Sequence, residues 1–418
     1  MGTPNIAIIG AGPVGCLLAR LLTLSDIPVT VYESDTCADY RGQGGTLDLH
    51  TKTGLAAIKA AKLWDEFYKL ARFDSQYMLM CDENLKPYIE VGKTGTKGIQ
   101  RPEIDRAQLR RLLMESLPDG TIKWGHRLQR VEEGNKLVFQ DTTESGFALV
   151  VGCDGTFSKV RNYLSSERPL EYSGVAYHHL WIPDAERRAP HVHKVVNGGS
   201  VIAHSNGRQL AVQQLADGSI HVGFAAVRPE DWMQTCGYDE TTADFETAKK
   251  TVLEETRDWH PQLREAIMQT KGSFSMRNLY TLPPGWHWGH HRGTTIIGDA
   301  AHVMLPFAGE GVNLGLVDAQ KLAEAIVSAV EEGQKELDLD ACLDRRVEAF
   351  EEEMFSRMKL FQEQTAEITK LWMFTEGDLR NVVPKVMTSH MKLVLPSFFQ
   401  LPAFALIHSW WFIKGIFS

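Results

Sequence analysis

The chain has 418 residues, 43% hydrophobic and 23% charged, which is typical of folded globular proteins. This length predicts about two or three domains. The formal net charge is −9 without any run of lysine or arginine, which argues against a nucleic-acid partner. Six scattered cysteines without a C-x-x-C pair, and an apolar N-terminal run without a basic leader, predict reduced thiols in a cytoplasmic protein.

The first forty residues predict a strand, a helix and a second strand, at residues 6–9, 16–24 and 27–32. Gly10, Gly12 and Gly15 form a G-x-G-x-x-G turn after the first strand, and Glu33 follows the second. In such a turn the glycines permit a tight bend, the approach of a pyrophosphate and close helix packing. Glu33 can accept hydrogen bonds from ribose hydroxyls. The segment therefore predicts a dinucleotide site, and a glycine-rich turn without a ligand is the alternative.

Two later motifs repeat the strand-to-glycine pattern. An apolar strand near residue 150 runs into Asp154-Gly155 and then a Ser-x-x-Arg helix start at residues 158–161. A second strand ends in Gly298-Asp299, and a glycine-rich loop at residues 306–313 then opens a helix. The backbone N–H groups of such a loop suit an anion or an electron-rich ring edge. Asp299 could alternatively serve as a helix N-cap.

In this order, across residues 6–313, the three motifs resemble those of the class A FAD-dependent monooxygenases, the para-hydroxybenzoate hydroxylase-like group. Segments 44–50, 102–106 and 306–313 are similar to the TetX-like tetracycline-inactivating branch. The resemblance implies an α/β fold: a Rossmann-like FAD-binding domain with an inserted antiparallel β-sheet substrate domain and C-terminal helices. The expected FAD-binding domain is residues 1–75, 96–170 and 284–335. The expected substrate domain is 76–95 and 171–283, followed by a C-terminal helical region, 336–418.

The resemblance implies a monooxygenase that hydroxylates an electron-rich aromatic, polycyclic or polyketide-like small molecule through a flavin C4a-hydroperoxide. FAD would be the bound cofactor. NADPH or NADH would be a transient co-substrate, because the sequence has a single full dinucleotide fingerprint. An FAD-dependent oxidase or reductase without oxygen insertion is the alternative. We expect no metal, since the histidine-rich stretch 286–291 fits no usual zinc spacing.

The resemblance also implies roles for individual residues. Glu33 would hold the adenosine ribose, Arg106 the ribityl side of the flavin and Asp299 the ribityl-pyrophosphate region. Arg41 matches a position associated with the nicotinamide nucleotide, and Asp48 would lie near the flavin ring. The expected cofactor-binding residues are Gly10, Gly12, Gly15, Glu33, Arg41, Asp48, Arg106, Asp154, Asp299, Pro306, Gly309, Glu310, Gly311 and Val312. A solvated helix face shared with Arg110 and Arg111 is the alternative for Arg106.

His179 is the expected substrate-binding residue. It stands near a position where TetX-like enzymes place a glutamine, and Ser200 stands near one where they place an arginine. These departures weaken tetracycline as the substrate. No catalytic base is identified, although His50, His179 and Tyr177 are candidates.

Residues 201–205, 209–215 and 220–226 predict a β-meander, joined by type I′ turns at Asn206-Gly207 and Asp217-Gly218. Residues 337–374 predict a long amphipathic helix. The apolar, aromatic tail at 393–418 is interrupted by prolines, so we favour a helix docked at the substrate entrance over a membrane contact or a partner interface. We expect a monomer.

Overall fold

The structure is a computed structural model that describes residues 3–38, 44–73, 77–92, 101–167, 169–241, 244–336, 338–377 and 379–395, together with 400–402, 404, 406, 407, 409 and 411. Its strands are β1 Ile6–Ile9, β2 Val29–Tyr32, β3 Thr46–Asp48, β4 Met78–Asp82, β5 Pro87–Val91, β6 Glu103–Asp105, β7 Ile122–Lys123, β8 Leu128–Glu132, β9 Lys136–Phe139, β10 Thr143–Glu144, β11 Leu149–Gly152, β12 Glu171–Ile182, β13 Ser200–Ser205, β14 Arg208–Gln214, β15 Ile220–Val227, β16 Ser275–Thr281 and β17 Thr294–Ile296.

The helices in this part of the chain are α1 Pro13–Thr23, α2 Gly54–Ala60, α3 Trp64–Leu70, α4 Arg106–Glu115, α5 Lys159–Leu164, α6 Ala185–Arg188, α7 Pro190–Val196, α8 Trp232–Thr235, α9 Phe245–Glu255, α10 Pro261–Met268, α11 Asp299–His302, α12 Gly311–Glu336, α13 Leu339–Met373 and α14 Leu379–Val394. None of these helices combines the length and the apolar character that crossing a bilayer requires.

A five-stranded, all-parallel sheet in the order β17-β11-β1-β2-β7 forms the Rossmann-like part of the fold. Every residue of β1 is buried, as expected for a central strand covered on both faces. Strands β1, β11 and β17 all lead at their carboxyl ends into the glycine-rich motifs. Ligands of open α/β sheets bind at this edge, so the three motifs share one crevice. The predicted α/β fold class is confirmed.

A seven-stranded sheet in the order β16-β12-β15-β14-β13-β4-β5 carries the predicted meander. It is antiparallel apart from the parallel pair β4–β13. Asn206 and Gly207 both have positive φ, 37° and 75°, as a type I′ turn requires. The second predicted type I′ turn is wrong. The loop between β14 and β15 has five residues, closed by the Leu215 N–H donating to the Ser219 carbonyl at 2.8 Å.

The side chain of Asp217 explains that difference, because it accepts hydrogen bonds from both the backbone N–H and the hydroxyl of Ser219, at 2.9 and 2.6 Å. Such an Asx interaction, with the backbone two residues further on, forms a turn of its own at the aspartate. Gly218 has a φ of 78°, whereas Asp217 does not have positive φ.

Helix α13 spans 339–373, close to the predicted 337–374, and begins where the Asp338 carboxylate accepts the Ala341 N–H at 3.0 Å. Its first half, including Met354, packs into the core of the parallel sheet. Its last turns, including Trp372, pack with α14 in a second apolar cluster beneath the seven-stranded sheet. Trp411 also lies there, stacked 6.1 Å from Tyr88 of β5. The role of the tail and the domain boundaries remain predictions.

Candidate cofactor and substrate site

The turn after β1 has the steric properties that its glycines predict. Gly10 has a φ of +105°, and a Cβ there would lie 2.5 Å from the carbonyl oxygen of Cys153. A Cβ on Gly15 would collide with the Gly10 carbonyl, so the close packing of α1 on β1 requires a glycine. A Cβ on Gly12 would have no atom within 4 Å. The turn is therefore tight where it meets protein and open at Gly12, the N-cap of α1.

Glu33 lies just beyond β2 and is almost fully buried. One carboxylate oxygen accepts the Ala11 N–H at 2.7 Å, and the other accepts the Asp35 N–H at 2.9 Å. The guanidinium of Arg110 in α4 then bridges the Ala11 carbonyl and the Asp35 carboxylate, both at 3.0 Å. Through these hydrogen bonds Glu33 connects the glycine turn to the segment after β2. This structural role is separate from any hydrogen bond to a ribose.

Arg106 is the first residue of α4, and its side chain is exposed. Burial lowers the pKa of its guanidinium and the charge of Asp299 raises it. A Cβ on Gly44 would lie 3.3 Å from Nε of Arg106. Arg106 therefore lies near both Gly44 and Asp299, whereas Arg111 on the same helix forms an exposed pair with Glu115.

Asp154 is bound to its own helix. Its carboxylate accepts the Ser158 hydroxyl at 2.5 Å and the Lys159 N–H at 2.7 Å, and burial raises its pKa. Ser158 in turn caps α5 by accepting the Arg161 N–H at 2.9 Å, which confirms the predicted Ser-x-x-Arg helix start. Gly155, with a φ of +74°, is left beside open space.

Asp299 is the first residue of α11, and Gly298, not Asp299, occupies the N-cap position. The alternative that Asp299 acts as an N-cap is therefore wrong. Gly298 has a φ of +62°, and a Cβ there would lie 3.3 Å from Val14 of α1. The turn after β17 thus packs directly on the helix that follows the first glycine motif.

The loop before α12 is a short 3₁₀ turn, Pro306–Ala308, that ends at Gly309 with a φ of +72°. A Cβ on Gly309 would lie 4.0 Å from a carboxylate oxygen of Asp48, while Gly311 has no neighbouring atom within 4 Å of such a position. Val312 is half-buried on the next turn. Asp48 and the loop therefore lie close together. Arg41 lies outside the described residues.

His50 lies between Asp48 and Glu310, with its Nε2 3.0 Å from one carboxylate and its Nδ1 3.4 Å from the other. Burial acts to lower the pKa of His50, but the hydrogen bonds and charges of the two acids outweigh it and raise the pKa to about 9. The imidazole is therefore protonated near neutral pH. It joins the loop before α12 to the segment after β3.

Two buried groups that sequence reasoning missed hold these loops in place. The side-chain oxygen of Asn313 accepts the His50 N–H at 2.9 Å, and its amide donates to the Asp48 carbonyl at 2.9 Å. Asp318 accepts the Gly298 N–H at 3.0 Å. Its carboxylate also binds a histidine of α11 and an arginine of α13. Asn313 is the last residue of the loop motif at residues 306–313, but it is not among the residues of that motif expected to bind the cofactor, and nothing in the sequence pattern marks Asp318.

The inner face of the seven-stranded sheet lies across from this groove. On β12, Tyr177, His179 and Trp181 are half-buried on that face, and the alternating residues point into the opposite core. Tyr177, Phe307 of the 3₁₀ turn and Trp372 of α13 belong to one apolar cluster. Aromatic side chains of the sheet, of the loop before α12 and of α13 therefore pack together on this side of the groove. Among the described residues, no set of three metal-ligating side chains is grouped together.

The donors present fit FAD. Open backbone at Gly12 and Gly311 lies at the N-termini of α1 and α12, where amide groups and the helix dipole favour a pyrophosphate and an electron-rich ring edge. Arg106 adds a cation within the groove, and Asp299 and Glu33 are acids suited to hydroxyl groups. The open positions at Gly12 and Gly311 thus lie at the positive ends of two helices, and one cation and two acids stand nearby for the polar groups of FAD.

The chain belongs to the family described as the FAD binding domain, whose model matches residues 3–354. This family comprises the class A FAD-dependent monooxygenases, and the chain is accordingly an FAD-dependent monooxygenase, as predicted. Monooxygenase penA of Penicillium thymicola is 29% identical over 403 residues, covering 85% of this chain and 92% of the relative. The 3-amino-4-hydroxybenzoate 2-monooxygenase PtmB3 of Streptomyces platensis is 29% identical over 343 residues, covering 78% and 80%.

Solved structures share the fold. HpxO of Klebsiella pneumoniae, in complex with FAD and uric acid, has a TM-score of 0.72 at 18% identity and covers 92% of both chains. The tetracycline destructase Tet(51) has a TM-score of 0.64 at 16% identity and covers 98% of both. The predicted likeness to the TetX-like branch is therefore present, within a fold that enzymes of other names share.

Proposed function

We propose that the chain uses FAD, NAD(P)H and O₂ to hydroxylate an electron-rich aromatic, polycyclic or polyketide-like small molecule. The observation that carries the proposal is the set of aromatic side chains, Tyr177, Phe307 and Trp372, that the seven-stranded sheet, the loop before α12 and α13 bring together. Ligand sites with apolar walls and a few convergent polar groups suit flat, weakly polar molecules. The relative that acts on 3-amino-4-hydroxybenzoate supports a hydroxylated ring as substrate.

The residues around the groove would hold FAD by complementary charge. Gly12 and the N-terminus of α1 would receive the pyrophosphate, and Glu33 the adenosine ribose. Arg106 and Asp299 would bind the ribityl region, and Gly311 would present backbone N–H groups to the ring edge. When bound and reduced, FAD supplies the capacity to activate O₂ for transfer of one oxygen atom.

The protein's own part is to orient the substrate and exclude water. The Tyr177 ring lies over Gly223 of β15, where a Cβ would overlap the Tyr177 hydroxyl, so the glycine leaves room for this ring. Burial raises the pKa of Tyr177, so the hydroxyl stays neutral and can donate a hydrogen bond. Phe307 and Trp372 would confine the ring from the loop side and from α13. A dry, shaped cleft of this kind favours oxygen transfer to the substrate over release of peroxide.

The nicotinamide nucleotide would bind transiently. The described Rossmann-like sheet has one glycine-rich turn of the G-x-G-x-x-G type, and FAD would occupy it. NADPH or NADH would therefore meet the flavin from the open side of the groove and leave after reduction.

Reduction kinetics and isotopic labelling test the function. The purified flavoprotein would be reduced anaerobically by NADPH or NADH, with and without a panel of hydroxylated aromatic and polycyclic compounds. It would then be exposed to isotopically labelled O₂. We expect one compound class to accelerate flavin bleaching and to gain one labelled oxygen atom. Reduction accompanied only by peroxide, with no labelled product from any compound, would contradict the proposal.

Two variants test the cofactor assignment. Arg106→Ala should weaken flavin retention or slow reduction, because it removes the cation of the groove, and Asp299→Ala should weaken flavin retention. Arg111→Ala is the matched control, since Arg111 pairs with Glu115 on the exposed side of the same helix. Flavin content per chain after gel filtration, together with the anaerobic reduction rate, provides the measurement. Full flavin content and an unchanged reduction rate in Arg106→Ala would remove Arg106 from the site.

A further inference from the structure

The end of the chain differs in charge from the part before it. Residues 379–418 contain four lysines or arginines, at positions 380, 385, 392 and 414, and no aspartate or glutamate. The whole chain, by contrast, has a formal net charge of −9. Between Lys392 and Lys414 no aspartate, glutamate, lysine or arginine occurs, and six residues of that stretch are phenylalanine or tryptophan. A basic segment with an apolar, aromatic stretch suits a partner that is both anionic and apolar.

Helix α14 presents part of this positive charge on its exposed side. Lys385 and Lys392 are both exposed, and they are about two helical turns apart, so they lie on the same side of α14. The other side of the helix, including Val383, packs into the apolar cluster that also contains the last turns of α13. Lys392 forms an exposed ion pair with Glu367 of α13 at 2.9 Å, and pairs of this kind are weak.

The tail after α14 is fixed to the protein body by one of its sides. The side-chain amide of Gln400 donates to the carbonyls of Lys392 and Leu395, both at 3.0 Å, at the end of α14. Further on, Trp411 is buried and its Nε1–H donates to the sulfur of Met387 in α14 at 3.4 Å. This inner side of the tail is therefore already covered by protein.

The outer side of the tail carries exposed leucines. The described residues between 400 and 411 have helical conformation. At about 3.6 residues per turn, Leu401 and Leu406 lie on the side away from Ile407, which packs on the body. Leu401 is 79% exposed and Leu406 is 71% exposed, the two highest values for large hydrophobic residues in the described part of the chain. Large apolar side chains exposed together mark a contact surface.

We propose that the outer side of the tail and the basic side of α14 together form a docking surface for an anionic lipid bilayer. Leu401 and Leu406 enter the boundary between headgroups and acyl chains, while Lys385 and Lys392 attract anionic headgroups. The contact is peripheral, since none of the helices described above could cross a bilayer. Docking of the tail on the body and contact with lipid are compatible, because they use opposite sides of the tail.

A lipid surface fits these observations better than a second protein chain. A stable protein interface buries roughly 800 Å² on each partner, far more than two leucine side chains supply. Insertion into a bilayer needs no such area, because each apolar side chain and each nearby lysine contributes separately. Lysines that flank an apolar stretch, as Lys392 and Lys414 do, are typical anchors at the level of the headgroups.

Co-sedimentation with lipid vesicles tests the surface. The flavin-loaded enzyme would be centrifuged with vesicles of phosphatidylcholine alone, and with vesicles that also contain about one third phosphatidylserine. Flavin absorbance in the pellet measures binding without turnover. We expect wild type to prefer the anionic vesicles and to bind them more weakly at high salt. The double variant Leu401→Gln, Leu406→Gln should bind at least about ten-fold more weakly. Lys385→Gln should bind about five-fold more weakly.

Met268→Gln and Lys250→Gln are the matched controls. Both residues are exposed, and they belong to α10 and α9, which pack on the opposite side of the seven-stranded sheet. Both controls should bind the anionic vesicles as wild type does, and full flavin content verifies that each variant folds.

The proposal is overturned if wild type shows no preference for the anionic vesicles, or if the double leucine variant or Lys385→Gln binds them as wild type does. It is also overturned if light scattering records a dimer that the double leucine variant loses, because a second copy would then cover the leucines. The proposal goes beyond the hydroxylation proposed above and does not depend on it, since failure of that function would appear as absent labelled product.

Discussion

Asp318 provides the most direct test of how the groove is held together. This residue of α12 is fully buried, and three groups bind its carboxylate. They are Nε2 of His302 at 2.5 Å, the Gly298 N–H at 3.0 Å and the Arg357 guanidinium at 3.0 Å. The Asp318 carboxylate therefore connects the first part of α12 to the turn after β17 and to helix α13. The substitution Asp318→Asn keeps the size of the side chain and removes the charge.

The expected loss of stability is about 3 kcal/mol. Removing one partner of a buried ion pair typically costs about 3–5 kcal/mol, because the remaining charge is left buried without compensation. The amide retains one hydrogen-bond acceptor, which places Asp318→Asn near the lower limit. Burial acts to raise the pKa of Asp318, but the charges and hydrogen bonds of His302 and Arg357 outweigh it and hold that pKa below its usual value. The contribution is therefore complete at neutral pH and is lost as the pH falls below about 4.

Glu353→Gln is the control for this prediction. The same Arg357 guanidinium that reaches Asp318 also pairs with Glu353 at 3.1 Å, but Glu353 is 44% exposed whereas Asp318 is 0% exposed. Exposed pairs contribute about 0–1 kcal/mol. Urea unfolding of the flavin-free proteins at pH 7 and at pH 3.5 would give both differences. If Asp318→Asn and Glu353→Gln cost the same, or if the cost of Asp318→Asn does not shrink at the lower pH, the reasoning is wrong.

Two further predictions concern the loops of the groove. Because hydrogen bonds to two acids raise the pKa of His50 to about 9, its ionic contribution should be complete below about pH 6.5 and lost as the pH rises through about 9. The gap in thermal midpoint between wild type and His50→Gln should close over that range, and a gap independent of pH would refute this. Gly15→Ala should prevent folding, since its Cβ would collide with a backbone carbonyl. Gly12→Ala, with no atom within 4 Å, should fold but retain less flavin. Circular dichroism and flavin absorbance separate the two outcomes, and normal folding of Gly15→Ala would contradict the steric argument.

The sequence predicts those parts of the fold that local chemistry determines. Strand β1 begins and ends where its apolar run and Gly10 place it, because a continuous apolar stretch closed by glycine has few alternatives. Strand β2 begins at Val29, two residues later than predicted, and the Pro28 carbonyl before it accepts the Ile6 N–H. The second hairpin was predicted from a dipeptide, but the side chain of Asp217 selects a different turn.

Other features depend on contacts between distant segments, and no local pattern marks them. His179 and His221 are 42 residues apart in the sequence. The hydrogen bond between their side chains depends on the register of β12 with β15. The parallel pairing of β4 with β13 joins two segments separated by more than a hundred residues. Likewise, Asp318 looks like an ordinary acid on a helix until the fold brings Arg357 beside it.

The amide of Asn313 has a consequence for the order of assembly. It binds the backbone of Asp48 and His50, which precede it by more than 260 residues. Contacts of such long range form late, because the chain must first close a large loop, and the ribosome delivers the N-terminal segment well before its partner. The first glycine turn can therefore be complete on the nascent chain while the flavin-ring loop is still unsynthesised. Stable loading of the cofactor should then wait until α12 has emerged.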